Sequence, residues 1–266
     1  MNVGIAGFGT IGRKVALALD KGIENLVLCG VATRSAAPAL ATLQGFCNPA
    51  PLMTIEELAK AAAIVVECAP TSAFHEIASA VIGHGKTLVT VSGAALMDNP
   101  TLVDDARRSG GRIVLATGAL LGLDAVRAAA EGEIFGVRMI TRKPPKSLLD
   151  APPVIERGID LLSIREPLQL FSGTAREGAR LFPANVNVAA ALGLAGIGPD
   201  RTLLEIWADP TLDRNTHTIT VDADSARFEL KIENIPSPGK PGTGRITALS
   251  VIACLRSLVA PLRVGT

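Results

Sequence analysis

Gly7–Gly12, which reads GFGTIG, sets the fold class of this chain. The stretch directly follows a short apolar run, Asn2–Ala6, and opens an amphipathic segment, Ile11–Leu19. A G-x-G-x-x-G pattern between a strand and a helix is typical of a turn that binds the pyrophosphate of a dinucleotide. A glycine-rich turn that holds no ligand is the alternative interpretation.

Each position in this turn has a physical reason. Gly7 permits the tight turn, Gly9 lets the backbone approach a pyrophosphate, and Gly12 allows the helix to pack closely on the strand. Thr10 and Ile11 begin the helix, where free N–H groups and the helix dipole favour an anion. We therefore predict that Gly7, Gly9, Thr10, Ile11 and Gly12 bind the cofactor.

Short apolar runs continue through the first 120 residues, with helical patterns between most of them. Short apolar strands that alternate with helices favour parallel pairing, with the sheet buried on both faces. We predict a Rossmann-type, doubly wound parallel sheet of the α/β class. The further runs that we assign to its strands are Leu26–Val31, Ala63–Cys68, Thr87–Val91 and Arg112–Ala116.

The character of the sequence changes after Gly122. Gly136–Thr141 is a strand candidate, which we expect Lys143-Pro144-Pro145 to end. Thr216–Asp222 and Arg227–Glu233 alternate in hydropathy around a short polar turn, which predicts a hairpin. These patterns indicate a second, α+β domain that carries the catalytic residues.

Two segments close the chain. Asn234–Gly244 is dense in Pro and Gly, so we expect no regular structure there. Arg245–Val259 is predicted to be a helix that returns to the first domain. The predicted domains are 1–120 for nucleotide binding, 121–240 for catalysis, and 241–266 for the returning helix.

Composition excludes several classes of partner. The 266 residues contain 26 Lys and Arg against 25 Asp and Glu, and a net charge of +1 argues against a nucleic-acid or anionic-membrane surface. Aromatic residues make up 3% and Tyr is absent, so a base-stacking platform is not expected.

No run approaches the roughly 18 apolar residues of a membrane span. The four cysteines show no metal-ligand spacing, so we expect no metal site, free thiols and a cytoplasmic protein.

The end of the second predicted strand bears on the choice of cofactor. An acidic residue about 20 positions after the last glycine binds the ribose 2′-hydroxyl of NAD. Residues 30–35 read GVATRS and contain no carboxylate. Arg34, with the hydroxyls of Thr33 and Ser35, suits a 2′-phosphate instead. We predict use of NADP, alone or with NAD; a solvated loop role for Arg34 is the alternative.

The chain has three histidines, and His217 stands out among them. It follows a polar turn and begins a strand of the second domain, whereas His75 and His84 read as surface or packing residues. Histidine suits proton transfer near neutral pH, although a purely structural role remains open from composition alone. Trp207, the sole tryptophan, precedes His217 by ten residues, so its fluorescence is expected to report ligand binding.

The sequence resembles the L-aspartate dehydrogenase family along both predicted domains. The more specific matches are FPANVNVAAALGLAGIGPD and ADPTLDRNTHTI. The stretches that carry the resemblance are Gly4–Gly12, Ala116–Ala125, Thr141–Pro145, Phe182–Asp200, Ala208–Ile219 and Gly244–Leu258.

The resemblance implies a reaction and assigns roles to residues. It implies reversible oxidative deamination of L-aspartate to iminoaspartate, which water converts to oxaloacetate and ammonia, and which can feed NAD biosynthesis. His217 corresponds to the family's catalytic histidine, and Ala119 and Asn187 to its cofactor contacts. Capping of a helix by Asn187 or Asn185 is the alternative. The family often has an acidic residue after the second strand, and the chain departs from it at Arg34.

A dicarboxylate substrate needs positive groups. Arg142 and Lys143 follow a predicted strand and are our candidates for substrate binding, with solvated surface charges as the alternative. Other two-domain Rossmann reductases, of the dihydrodipicolinate reductase or homoserine dehydrogenase type, remain open, as does a non-catalytic NAD(P)-binding regulator. A homodimer is the commonest closed assembly and is expected here.

Overall fold

The computed structural model describes residues 1–182, 186–237 and 240–265, without the side chains of 240–243. Asn185 therefore lies outside the described residues. The chain divides into two compact units, one formed by residues 1–116 and 247–264 and the other by residues 117–246 with the last two residues.

The first unit contains a parallel five-stranded sheet in the order β2-β1-β3-β4-β5. Its strands are short and rich in Val, Ile and Leu, and most of their side chains are buried because helices cover the sheet. The strands are β1 (Asn2–Ala6), β2 (Val27–Ala32), β3 (Ile64–Glu67), β4 (Thr87–Thr90) and β5 (Arg112–Leu115). The helices between them are α1 (Thr10–Asp20), α2 (Ala36–Leu43), α3 (Ile55–Ala61), α4 (Phe74–Gly83), α5 (Gly93–Asp98) and α6 (Thr101–Ser109).

The second unit contains a mixed five-stranded sheet in the order β10-β9-β6-β8-β7. Its strands are β6 (Ile134–Lys143), β7 (Leu168–Thr174), β8 (Thr202–Ala208), β9 (Asn215–Ala223) and β10 (Arg227–Asn234). The helices of this unit are α7 (Leu123–Ala129), α8 (Pro152–Glu156), α9 (Ala175–Leu181) and α10 (Asn187–Ala195). Burial alternates along β6, β8 and β9, which gives the sheet one covered face and one open face.

Two local predictions were wrong. The sixth strand does end at the predicted Lys-Pro-Pro segment, but it includes Arg142 and Lys143, which were predicted to follow it; the Lys143 carbonyl accepts the N–H of Asp209 at 2.8 Å. Pro144, which lacks an N–H and has a fixed φ, comes one residue after Lys143, so it does not interrupt this pairing. The segment after Asn234 is also partly regular: β11 (Pro236–Ser237) pairs with β12 (Lys240–Gly244) in antiparallel fashion.

The last helix, α11 (Arg245–Val259), belongs to the first unit from Thr247 onward. Its buried Val251 and Leu255 join the hydrophobic cluster around Val3, Ile5 and Val15. The predicted fold class, a Rossmann-type sheet with a second α+β unit and a returning C-terminal helix, is confirmed.

Candidate active site

The glycine turn of the first unit has the shape of an anion cradle. Gly7 has a φ of +95°, and a Cβ there would lie 2.5 Å from Ala69 N. A Cβ on Gly12 would lie 2.0 Å from the Gly7 carbonyl oxygen, so helix α1 packs directly on the turn. A Cβ on Gly9 would meet no described atom within 4 Å, which leaves the backbone open to a ligand. Thr10 begins α1, so its N-terminal N–H groups face this opening and the residues fit a pyrophosphate.

Arg34 lies beside this turn in the fold. The Gly7 N–H donates to the carbonyl of Ala32, the last residue of β2, at 2.8 Å. Arg34 is exposed two residues further on, and Ser35 is the N-cap residue of α2. The Ser35 N–H donates to Thr33 Oγ1 at 3.3 Å. The end of β2 thus presents a guanidinium and hydroxyls, with no carboxylate between residues 30 and 35.

His217 lies on the covered face of the second sheet. It pairs with Thr141 across β9 and β6, and its Nδ1 lies 3.0 Å from Thr141 Oγ1. The side chain is buried, with 3% of its surface exposed. Burial, with a smaller contribution from the nearby Lys143 charge, lowers the pKa of His217 to about 3. The imidazole is therefore neutral at physiological pH, the form that can accept a proton.

Lys143 shares this face with His217. It stands two residues after Thr141 on β6, so the two side chains point the same way. Lys143 is buried, and its burial lowers the pKa of the ammonium to about 8. A buried cation next to a neutral imidazole suits a substrate that is both anionic and a proton donor.

Arg142 lies on the opposite, open face, although it was predicted beside Lys143. Its guanidinium lies 3.3 Å from Asp209 Oδ2 and 5.0 Å from the centre of the Trp207 ring. Trp207 in turn donates its indole N–H to Glu205. The structure brings Lys143 and His217 together, and it places neither Arg142 nor Trp207 with them.

Ala119 is linked to the same sheet by a residue that sequence reasoning missed. The Asn234 amide donates to the Ala119 carbonyl at 3.1 Å, from the end of β10. Asn234 pairs with Asn215, which stands two residues before His217. Asn234 Oδ1 is buried and has no hydrogen-bond partner among the described residues. In the sequence, Asn234 could be recognised only as an asparagine at the end of a strand with alternating hydropathy.

Asn187 is the first residue of α10, and the N-cap position belongs to Val186. Asn187 is exposed. Its position at the start of a nine-residue helix is compatible with a polar contact to a ligand.

The other two histidines, His75 and His84, contact polar side chains of the first unit. His75 Nδ1 lies 2.9 Å from Asn99 Oδ1, and His84 Nε2 lies 2.9 Å from Glu56 Oε1. Within the described ranges, no group of three His, Cys, Asp or Glu side chains is arranged to hold a metal ion. None of the helices in the described part of the chain is both long enough and apolar enough to cross a membrane.

Two family models match the chain. Residues 124–258 match "Aspartate dehydrogenase, C-terminal", and residues 7–116 match "Homoserine dehydrogenase, NAD binding domain". The first match contains both His217 and Lys143, and the second contains the glycine turn.

Full-length relatives and solved structures agree with these matches. An L-aspartate dehydrogenase of Bradyrhizobium diazoefficiens is 56% identical over 266 residues, covering 100% of this chain and 94% of the relative. An L-aspartate dehydrogenase of Methanosarcina mazei is 39% identical and covers 100% of both chains. The crystal structure of aspartate dehydrogenase from Thermotoga maritima superimposes with a TM-score of 0.76 at 26% identity, covering 100% of this chain and 99% of that one.

Proposed function

Because the chain belongs to the L-aspartate dehydrogenase family, we propose that it catalyses the reversible, pyridine-nucleotide-dependent oxidative deamination of L-aspartate. The products are iminoaspartate and then, after hydration, oxaloacetate and ammonia. The observation that carries this proposal is the neutral, buried His217 beside the buried cation Lys143 on one sheet face. A binding protein without catalytic activity has no need of such a pair.

The cofactor supplies the acceptor for the hydride that leaves C2 of L-aspartate. The first unit contributes the residues that hold it. The open backbone at Gly9 and the free N–H groups at the start of α1 receive the pyrophosphate, and Gly7 and Gly12 keep the turn compact. Ala119 and Asn187 are the candidates for further cofactor contacts in the second unit.

His217 moves the protons of the reaction. When Nδ1–H donates to Thr141 Oγ1, Nε2 has a free lone pair. Nε2 then takes a proton from the water that attacks C2 of iminoaspartate and gives it to the amine nitrogen. As ammonia leaves, Nε2 takes the proton of the new hydroxyl group, and the C2 carbonyl of oxaloacetate forms. A bound dicarboxylate raises the pKa of His217 from its low value, because nearby negative charge favours the imidazolium.

Lys143 binds one substrate carboxylate. Burial disfavours the charged form of its ammonium, and a substrate carboxylate favours that form by ion pairing. The same pairing raises its pKa and keeps it charged while substrate is bound. Lys143 therefore recognises the anionic substrate and orients C2 for hydride transfer.

We assign the choice between cofactors to Arg34. Its exposed guanidinium at the end of β2, and the absence of a carboxylate there, favour binding of a 2′-phosphate and hence use of NADP beside NAD. Arg34→Ala is expected to lower kcat/KM for NADP about tenfold or more while changing that for NAD by less than about twofold. A wild-type enzyme with a strong preference for NAD would overturn this assignment.

The function is tested by following the absorbance of the reduced cofactor with L-aspartate, and in reverse with oxaloacetate and ammonia. Activity in both directions supports the proposal. Tight cofactor binding without turnover would favour a regulator, and activity with aspartate semialdehyde or dihydrodipicolinate instead would favour the other reductases. A supply of iminoaspartate for NAD biosynthesis is consistent with the reaction and forms part of the proposal.

We also propose a homodimer built on the open face of the second sheet. Leu203 on β8 is 52% exposed and stands beside Arg138 on β6, on the same face as Trp207. A two-fold axis makes such an open face self-complementary, and a homodimer is the commonest closed assembly.

A further inference from the structure

A buried carboxylate ties together two strand ends in the first unit. Glu67 is the last residue of β3 and is fully buried. Its Oε2 accepts the Thr90 hydroxyl at 2.7 Å, and its Oε1 accepts the Ala69 N–H at 2.8 Å. Thr90, the buried last residue of β4, accepts the Ser92 N–H at 2.9 Å. The Glu67 side chain therefore fixes the conformation of the backbone that follows both β3 and β4.

This network begins on β3, the strand that borders the point where the strand order reverses, and extends to β4. From β1 the chain passes through α1 to β2 on one side, and β3 pairs on the other side. In open α/β sheets, ligands bind outside the carboxyl ends of the strands at such a point. The glycine turn rests on the segment that Glu67 holds, since a Cβ on Gly7 would lie 2.5 Å from Ala69 N.

A purely structural role does not account for a carboxylate here. Burial penalises the charged form and raises the pKa of Glu67, against the opposing effect of its hydrogen bonds. Well-packed apolar residues hold sheets together at less cost than a buried charge does. The benefit of Glu67 lies in the fixed direction of the N–H and hydroxyl groups that it binds.

We propose that Glu67 is a positioning residue for the cofactor, holding the backbone after β3 and β4 in the conformation that receives the nicotinamide half. A dinucleotide whose adenosine ribose was bound at the end of β2, near Arg34, would extend its other half across the ends of β3 and β4. The inference rests on the proposed function, because it assumes a dinucleotide in the glycine turn.

Threonine variants test the network without removing the buried carboxyl group of Glu67. Thr90→Val keeps the volume and removes the hydroxyl, and Thr90→Ser keeps the hydroxyl. Thr87→Val makes the same change at the opposite end of β4 and serves as the matched control. In fluorescence titrations with NADH, T90V is expected to raise Kd about tenfold, while T90S and T87V stay within about threefold of wild type.

Glu67→Gln and the ligand ADP complete the experiment. ADP lacks the nicotinamide and the ribose that carries it, so E67Q is expected to weaken binding of NADH about tenfold and of ADP much less. Wild-type affinity for NADH in both E67Q and T90V would overturn the inference, as would equal losses in T90V and T90S. If the wild-type chain itself binds no NADH, the proposed function fails as well.

Discussion

His217 and Lys143 owe their charge states to burial on the same sheet face. In water an imidazole is partly protonated at neutral pH and an ammonium is fully protonated. Here burial lowers the pKa of His217 to about 3 and that of Lys143 to about 8. The imidazole of His217 is thus neutral at physiological pH, and the ammonium of Lys143 is charged below about pH 8.

Replacing His217 is expected to slow the chemical step and to leave cofactor binding unchanged. His217→Asn is expected to lower kcat about 10²- to 10⁴-fold, the usual loss when a general base is removed. The Kd for NADH is expected to stay within about twofold of wild type, since the change removes proton transfer only. His84→Asn, which changes an imidazole bound to Glu56, is the control. A near-normal kcat in H217N ends the assignment.

The low pKa of Lys143 predicts that dicarboxylate binding depends on pH. Below about 8 the ammonium is charged, and above that pH it loses its proton and its attraction for a carboxylate. For succinate, which is fully ionised over this range, Ki is expected to rise about tenfold between pH 7 and pH 9. Lys143→Arg keeps the charge and is expected to flatten the profile. An unchanged Ki in wild type across this range would contradict the role.

Strand alternation explains why two adjacent cations have different surroundings. The sequence identified Lys143 and Arg142 as a pair because a strand was predicted to end before them. In the structure β6 includes both, so successive side chains point to opposite faces. The pair of basic residues was visible in the sequence. Which face of the sheet each side chain lies on could not be predicted, because that depends on where the strand ends. Boundaries depend on pairing with distant segments, here the backbone of Asp209.

Matched methionine variants test this alternation. Lys143→Met removes the cation at similar length and is expected to raise KM for L-aspartate at least about tenfold, because the substrate carboxylate loses its ion-pair partner. Arg142→Met is expected to leave KM within about twofold and to lower Tm, since Asp209 is buried and loses its guanidinium partner. Equal effects of the two variants on KM would show that both cations face the substrate.

At the level of the molecule, local patterns predicted the architecture well. The glycine turn, the alternating strands and helices, and the amphipathic last helix each reflect short-range periodicity, and all of them appear in the structure. The partners of individual polar groups were not predictable. Asn234 contacts Ala119 across more than a hundred residues of chain, and Glu67 contacts Thr90 across a strand pair. Such contacts follow from sheet order and register, which one sequence does not specify.

If the chain forms the proposed homodimer, a charge placed on the open face of the second sheet is expected to lower the mass measured in solution. Wild type is expected to elute at the mass of two chains in size-exclusion chromatography with light scattering. Leu203→Asp places a charge on the open face and is expected to shift the mass toward that of one chain. Leu40→Asp, another exposed leucine but on α2 of the first unit, is the control. A wild-type protein that elutes as a monomer contradicts the proposal.

A ribosome making this chain releases residues 117–246 as one continuous stretch before the last helix exists. Val251 and Leu255, which complete the core of the first unit, are synthesised after the whole second unit. The nucleotide-binding unit therefore emerges first and finishes folding last. Premature termination after residue 246 would yield a chain whose second unit lacks only its last two residues and whose first unit exposes apolar surface, a substrate for chaperones and proteases.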